Sequence, residues 1–144
     1  MHTGSCLCGI IKYIVDDNLD IVVNCHCQHC RLAHGAEFVP VAMLPAEKLT
    51  VLHGEKHLAK YEVASVAAFR CFCSQCGTRL FNHSPALNFI SLVTATLTDS
   101  VNLTSLANVN MESRNSYFEQ NNGLPNFDKV PSIDELRELR RIEY

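Results

Sequence analysis

Eight cysteines in a chain of 144 residues fall into three tight groups, and this grouping constrains the fold more than any other feature of the sequence. Cys6 and Cys8 form the first group, Cys25, Cys27 and Cys30 the second, and Cys71, Cys73 and Cys76 the third. A short chain this rich in cysteine is either a disulfide scaffold or a metal protein. Cysteines two or three residues apart rarely bridge each other without strain, because a disulfide fixes the separation of its Cα and Cβ atoms. Thiolates at that spacing do share a single tetrahedral ion. Met1 to Ser5 offers neither a basic start nor an apolar stretch before Cys6, so no export signal is expected and a cytoplasmic setting is. Metal is the reading that fits both observations.

Cys73-Ser74-Gln75-Cys76-Gly77 is a CxxCG knuckle, in which two thiolates chelate from one tight turn. Its glycine can take the positive φ that aims the following amides at the sulfurs. Cys6-Leu7-Cys8-Gly9 offers a second pair followed by glycine. In an extended chain Cys6 and Cys8 would project from one face. Together Cys6, Cys8, Cys73 and Cys76 make a closed, four-thiolate structural site for one zinc ion. The run Cys25-His26-Cys27-Gln28-His29-Cys30 is different, with three thiolates inside six residues. A structural zinc almost always has four protein ligands, whereas a reactive one keeps a position open. Three thiolates leave a zinc with net charge −1, weak as a Lewis acid for carbonyls and suited to capturing an incoming thiol as thiolate.

Among nearby residues, His29 and Cys71 are candidates for a fourth ligand of this second site. Cys71, flanked by Phe69 and Phe72, reads as a buried thiol. His26 and His34 read as solvated or neighbouring residues. Arg31, Arg70 and Arg114 could hold a carboxylate through paired hydrogen bonds, but a lone arginine ordinarily reads as a solvated surface charge.

The rest of the chain narrows the class. Apolar residues make up 47% and charged residues 19%, which excludes a disordered chain. A net charge of −3 with a pI near 6.1 gives no basic face for nucleic acid. No apolar run reaches the roughly 18 to 20 residues of a membrane span. Short runs rich in β-branched and aromatic residues, broken by turn residues, predict a mainly β fold. The expected strands are Ile10–Val15, Ile21–Asn24, Phe38–Leu44, Leu49–Leu52, Leu58–Val63, Ala67–Phe72, Arg79–Asn82, Phe89–Leu97 and, less clearly marked, Ser105–Met111. A short turn of helix is expected over Cys27–His34, closed by Gly35. Another begins after Pro131, where Ser132 and Glu135 form a capping box ahead of Leu136, Leu139 and Ile142. Glu119–Asp128, rich in Asn, Gly and Pro, reads as a loop.

The order CxCG, then CxCxxC followed by Arg31, then Phe72-Cys73-Ser74-Gln75-Cys76-Gly77-Thr78 with Leu80-Phe81, resembles the centromere protein V / glutathione-dependent formaldehyde-activating family. Echoes follow in Glu47-Lys48-Leu49 running to Gly54, and in Glu112-Ser113-Arg114 leading to Tyr117-Phe118 and Gly123-Leu124-Pro125. The resemblance implies a β-tent zinc-binding fold over residues 3–127. That fold is shared with a Rab-interacting exchange accessory protein and with methionine sulfoxide reductase B. Residues 128–144 would be a C-terminal extension with a short helix. It also implies two zinc ions, a structural one on Cys6, Cys8, Cys73 and Cys76 and an open, catalytic one on Cys25, Cys27 and Cys30. The implied activity is that of a carbon–sulfur lyase, in which glutathione or another small thiol adds to formaldehyde or a related aldehyde. Tyr117-Phe118 stands where members often carry Trp, and Cys71 lies outside the family's motif. The alternative is a non-enzymatic zinc module for partner binding or thiol sensing, with a second site that is four-coordinate.

Overall fold

The computed structural model describes residues 1–99 and 101–142, without the side chain of residue 142. Ser100, and the side chain of Ile142, which was expected to follow the capping box with Leu136 and Leu139, therefore lie outside the described residues. The fold is mainly β, with ten strands in two sheets and two α-helices among the described residues. Two compact units share the chain: Met1–Leu19 with Met43–Asn102, and Asp20–Ala42 with Leu103–Tyr144.

In the first unit, β1 (His2–Ser5), β2 (Lys12–Val15) and β5 (Leu49–His53) form an antiparallel sheet in the order β1-β2-β5. Lys12 faces out while Tyr13 and Val15 face in, the alternation of a half-buried strand. Gly4 of β1 lies opposite Tyr13. A Cβ on Gly4 would sit 2.0 Å from Tyr13 Cζ, so only glycine lets the ring lie across this strand. The Tyr13 hydroxyl and Thr96 Oγ1 share a buried hydrogen bond of 2.6 Å, and Thr96 Oγ1 donates to the carbonyl of Val93 at 2.8 Å. That second bond ends the long strand expected over Phe89–Leu97: Thr94–Thr96 is a single 3-10 turn.

The same unit contains β6 (Leu58–Val63), β7 (Ala68–Cys73), β8 (Arg79–Ser84) and β9 (Phe89–Val93), antiparallel in the order β9-β8-β7-β6. A register shift between Cys71 and Phe72 interrupts the alternation of β7. Ala68, Arg70, Cys71 and Cys73 are consequently all buried.

In the second unit β3 (Val22–Cys25) lies between β10 (Ala107–Val109), to which it is parallel, and the antiparallel β4 (Val39–Pro45), whose last three residues pass into the first unit. Flanked on both edges, β3 is buried at all four positions. Its Asn24 is satisfied by Asn108 of β10, whose carboxamide oxygen accepts from Asn24 Nδ2 at 3.0 Å. The Asn- and Pro-rich segment expected to be a loop adds backbone bonds along β10, from Asn108 to Pro125 and from Phe127 back to Asn108. α1 (Gln28–His34) follows β3, and α2 (Ile133–Ile142) carries the fully buried Leu136. The capping box forms: Glu135 Oε2 accepts the Ser132 amide at 2.8 Å, and the Glu135 amide reaches Ser132 Oγ at 3.3 Å.

Candidate metal centres

The first knuckle pair comes together by turns. β1 ends at Ser5, and the Gly9 amide bonds back to the Cys6 carbonyl at 3.0 Å. Cys6 and Cys8 thus meet across a turn, not on the shared face of a strand as the spacing suggested. On the other side Cys73 ends β7 and the Gly77 amide bonds to the Cys73 carbonyl at 2.8 Å. Gly9 and Gly77 take φ values of 75° and 74°, the positive values the knuckles require.

The four sulfurs of Cys6, Cys8, Cys73 and Cys76 lie within 4.8 Å of one another. Cys6 to Cys8 is 3.5 Å and Cys8 to Cys73 is 3.9 Å. A tetrahedron of Zn–S bonds sets its sulfurs about 3.8 Å apart, so the cluster has the size of a four-thiolate metal site. All eight cysteines are thiols and not disulfides.

The knuckle amides point inward as expected: Ile11 N–H donates to Cys6 Sγ at 3.3 Å. Thr78 links the two halves. Its hydroxyl accepts the Leu7 amide at 3.0 Å and lies 3.1 Å from Cys76 Sγ. That hydroxyl, then the Thr78 and Cys8 amides, push the Cys76 thiol down to about 5. Cys8 goes the other way. The Ile10 amide pulls it down, but burial and the neighbouring thiols together push it up to about 12. Thiols packed this closely ionise together only around a cation.

Cys25 closes β3, and Cys27 is the N-cap of α1, its sulfur accepting the Cys30 amide at 3.3 Å. Gly35 ends the helix in the left-handed conformation. This short turn swings Cys30 back toward Cys25, and the three sulfurs lie within 4.8 Å of one another. Cys25 and Cys30 are buried. Hydrogen bonding to Cys27 and Cys30, then burial, drive the Cys25 thiol far above its ordinary range. Three clustered sulfurs, two of them buried, are a donor set that fits a soft divalent cation. Among the described residues no histidine or carboxylate, His29 included, joins the three within that distance, and Cys71 belongs to neither group.

Three side chains differ from their sequence reading. His26 is not solvated: it is wholly buried, stacked on Phe38 with ring centroids 5.1 Å apart and tilted against Phe118 at 6.0 Å. Burial pulls its pKa down, opposed by Asn108. Arg31 is not a surface charge. Its Nε donates to the His26 carbonyl at 3.3 Å, Nη1 to Asn115 Oδ1 at 2.7 Å and Nη2 to the Ser113 carbonyl at 2.9 Å. Arg70 is buried in β7. Arg114 is exposed, with one bond to the Met111 carbonyl at 3.1 Å.

The late echo in the sequence lies against the second cluster's unit. Asn115 Nδ2 donates to Glu37 Oε2 at 2.9 Å and the Tyr117 hydroxyl to Glu37 Oε1 at 2.5 Å. These two donors, Tyr117 first, hold the Glu37 carboxyl below its usual range. Sequence reasoning missed Asn110, whose Nδ2 donates to Cys25 Sγ at 3.3 Å. Among the described residues no helix is long and apolar enough to cross a membrane.

A family model described as "Glutathione-dependent formaldehyde-activating enzyme" matches residues 1–119. Among solved structures, a crystal structure of a Rhodobacter sphaeroides protein is similar with a TM-score of 0.58. The likeness covers 69% of this chain and 90% of that one at 24% identity, and is a likeness of fold.

Proposed function

Because the chain belongs to the glutathione-dependent formaldehyde-activating enzyme family, we propose that it is a zinc-dependent carbon–sulfur lyase-type enzyme. In this reading glutathione, or another small thiol, adds to formaldehyde or a related aldehyde at Cys25, Cys27 and Cys30. Cys6, Cys8, Cys73 and Cys76 hold a second, structural zinc ion. The observation that carries the proposal is the contrast between the clusters, four sulfurs in one and three in the other. The reducing cytoplasm suits this thiol chemistry.

A zinc ion in the three-cysteine centre supplies a soft Lewis acid that stabilises an incoming sulfur as thiolate. The chain's own residues hold the centre in shape. α1 fixes Cys27 and Cys30 on one turn, and Arg31 ties that helix to the segment around Ser113 and Asn115. Between Cys25 and Cys27 in the chain, His26 is wholly buried, its ring stacked on Phe38 with Phe118 beside it. The addition balances without an oxidant. The thiol sulfur forms a bond to the carbonyl carbon, the C=O π pair moves to oxygen, and the thiol proton ends on that oxygen as the new hydroxyl.

The test is a cobalt-substituted sample titrated with glutathione, then given formaldehyde. The sulfur-to-metal charge-transfer absorbance should grow with glutathione, and adduct formation should exceed the uncatalysed rate. Cys27→Ala should abolish both while one cobalt stays bound. A flat titration at full metal occupancy would refute the enzyme and leave a zinc module.

A further inference from the structure

The end of β10 lies beside Cys25. Val109 pairs with Cys25 in the parallel register, and the next residue, Asn110, takes φ 57° and ψ 39°. That left-handed conformation is uncommon for a residue with a Cβ, although Asn tolerates it better than most. The backbone around it is fixed on both sides. The Val109 carbonyl accepts the His26 amide at 3.0 Å, the Met111 amide donates to the Phe127 carbonyl at 3.0 Å, and the Asn110 carbonyl accepts the Ser113 amide at 3.1 Å. The side chain is thereby carried to the end of β3, with Nδ2 3.3 Å from Cys25 Sγ.

We propose that Asn110 is a positioning residue of the three-cysteine centre, its carboxamide N–H drawing charge from the Cys25 sulfur and fixing the direction in which that sulfur donates. The inference rests on the functional reading above. Three thiolates bring a divalent ion to net charge −1, and a fourth brings it to −2. A hydrogen bond to one sulfur withdraws electron density from it, so the ion is less satisfied by its own ligands and accepts an incoming thiolate more readily. In the four-cysteine cluster the corresponding bond to Cys6 comes from a backbone amide five residues on, that of Ile11. Cys25 takes its donor from a side chain 85 residues away. A side-chain donor can be removed by substitution with the backbone left in place.

The competing account is that asparagine stands at position 110 only because it accepts a positive φ. Glycine accepts it better still, so Asn110→Gly separates the two accounts. Asn110→Asp keeps size and turn preference but exchanges the donor for a carboxylate oxygen. Cobalt-substituted wild type, N110G and N110D would be titrated with glutathione while the charge-transfer spectrum of the second site is followed.

The expected result is a band shifted to lower energy in N110G, from more electron-rich sulfurs, and a glutathione midpoint raised several-fold. Both effects should be larger in N110D, and the first cobalt should be unaffected. A structural role alone would not move the band energy of the bound metal. An N110G protein that binds two cobalt ions with the wild-type spectrum and midpoint overturns the proposal, and leaves the functional reading standing. Should N110G not fold, N110D decides in the same way. Wild type that binds a single cobalt overturns the functional reading and this proposal with it.

Discussion

Arg31→Lys keeps the charge and most of the length of the side chain, and should still destabilise the region around the second cluster. The guanidinium serves three acceptors from one plane, at the His26 carbonyl, Asn115 Oδ1 and the Ser113 carbonyl. An ammonium is a point donor and can keep the shortest of these bonds, the 2.7 Å contact with Asn115, while losing the fork. Two charge-assisted bonds are then lost. In a dry interior each contributes about 1.5–3 kcal/mol. Arg31 is half-buried, so water takes over part of each bond, and about 1 kcal/mol apiece is the appropriate scale. The expected cost is about 2 kcal/mol, roughly a thirtyfold change in the folded-to-unfolded ratio. Arg31→Met, which loses all three, should cost about 3 kcal/mol on the same reckoning. Urea unfolding of zinc-loaded protein at fixed free zinc gives the total. Amide hydrogen exchange localises it, with faster exchange expected at Ser113 and Arg114, whose amides bond to Asn110 and Met111. If both variants fall within about 0.5 kcal/mol of wild type with unchanged exchange, Arg31 is a solvated charge after all and the clamp has no energetic content.

Gly4→Ala should cost about 3 kcal/mol or more, since its Cβ would enter the buried Tyr13 ring at 2.0 Å and force the Tyr13–Thr96 bond apart. The cost should be sharply sub-additive with Tyr13→Leu in a double-mutant cycle, and strict additivity would dismiss the steric argument. Burial pushes Tyr13 up to about 12 from 10.0, against the pull of its bond to Thr96. Its folded pKa is raised, so this contribution is complete below pH 10 and is lost between about pH 10 and 12, on the order of 2–3 kcal/mol. Tyr13→Phe should flatten that part of the stability–pH curve, and an unchanged slope would remove Tyr13 as its source. Cys73→Ser should release one metal ion and most of the folded signal, because structural zinc binding is folding free energy, about 10–16 kcal/mol in small fingers. A cooperatively melting variant that keeps two zinc ions by mass spectrometry would disprove the four-cysteine assignment.

The cysteine groups were legible because chelation from one turn requires ligands two or three residues apart, a pattern written directly in the chain. The helix over Gln28–His34 with its Gly35 stop, and the Ser132–Glu135 cap, were legible for the same local reason. β1 was not: His2-Thr3-Gly4-Ser5 carries no apolar face, and the strand exists because Gly4 admits the Tyr13 ring. The 3-10 turns, such as Thr94–Thr96 and Met111–Ser113, were missed because a single i to i+3 bond leaves no periodicity to read. Side-chain roles set by distant partners were hidden as well. His26 is buried by Phe38 and Phe118, Arg31 is consumed by Ser113 and Asn115, and Asn110 reaches Cys25 only once β10 has paired with β3.

Cys8 and Cys73 touch across 65 residues of sequence, whereas the second cluster spans only Cys25 to Cys30. On a ribosome adding about 5–20 residues per second, the second cluster has all its ligands within roughly a second of the first one emerging. Cys6 and Cys8 wait roughly 3 to 13 s for their partners. During that interval the N-terminal pair is an incomplete chelate, open to any soft metal or oxidant that reaches it. The order of synthesis thus makes the four-cysteine cluster the last to be completed and the one exposed longest to mispairing. On the two-metal reading, the yield of correctly assembled chain should depend on metal still being in supply once Cys76 has joined the pair.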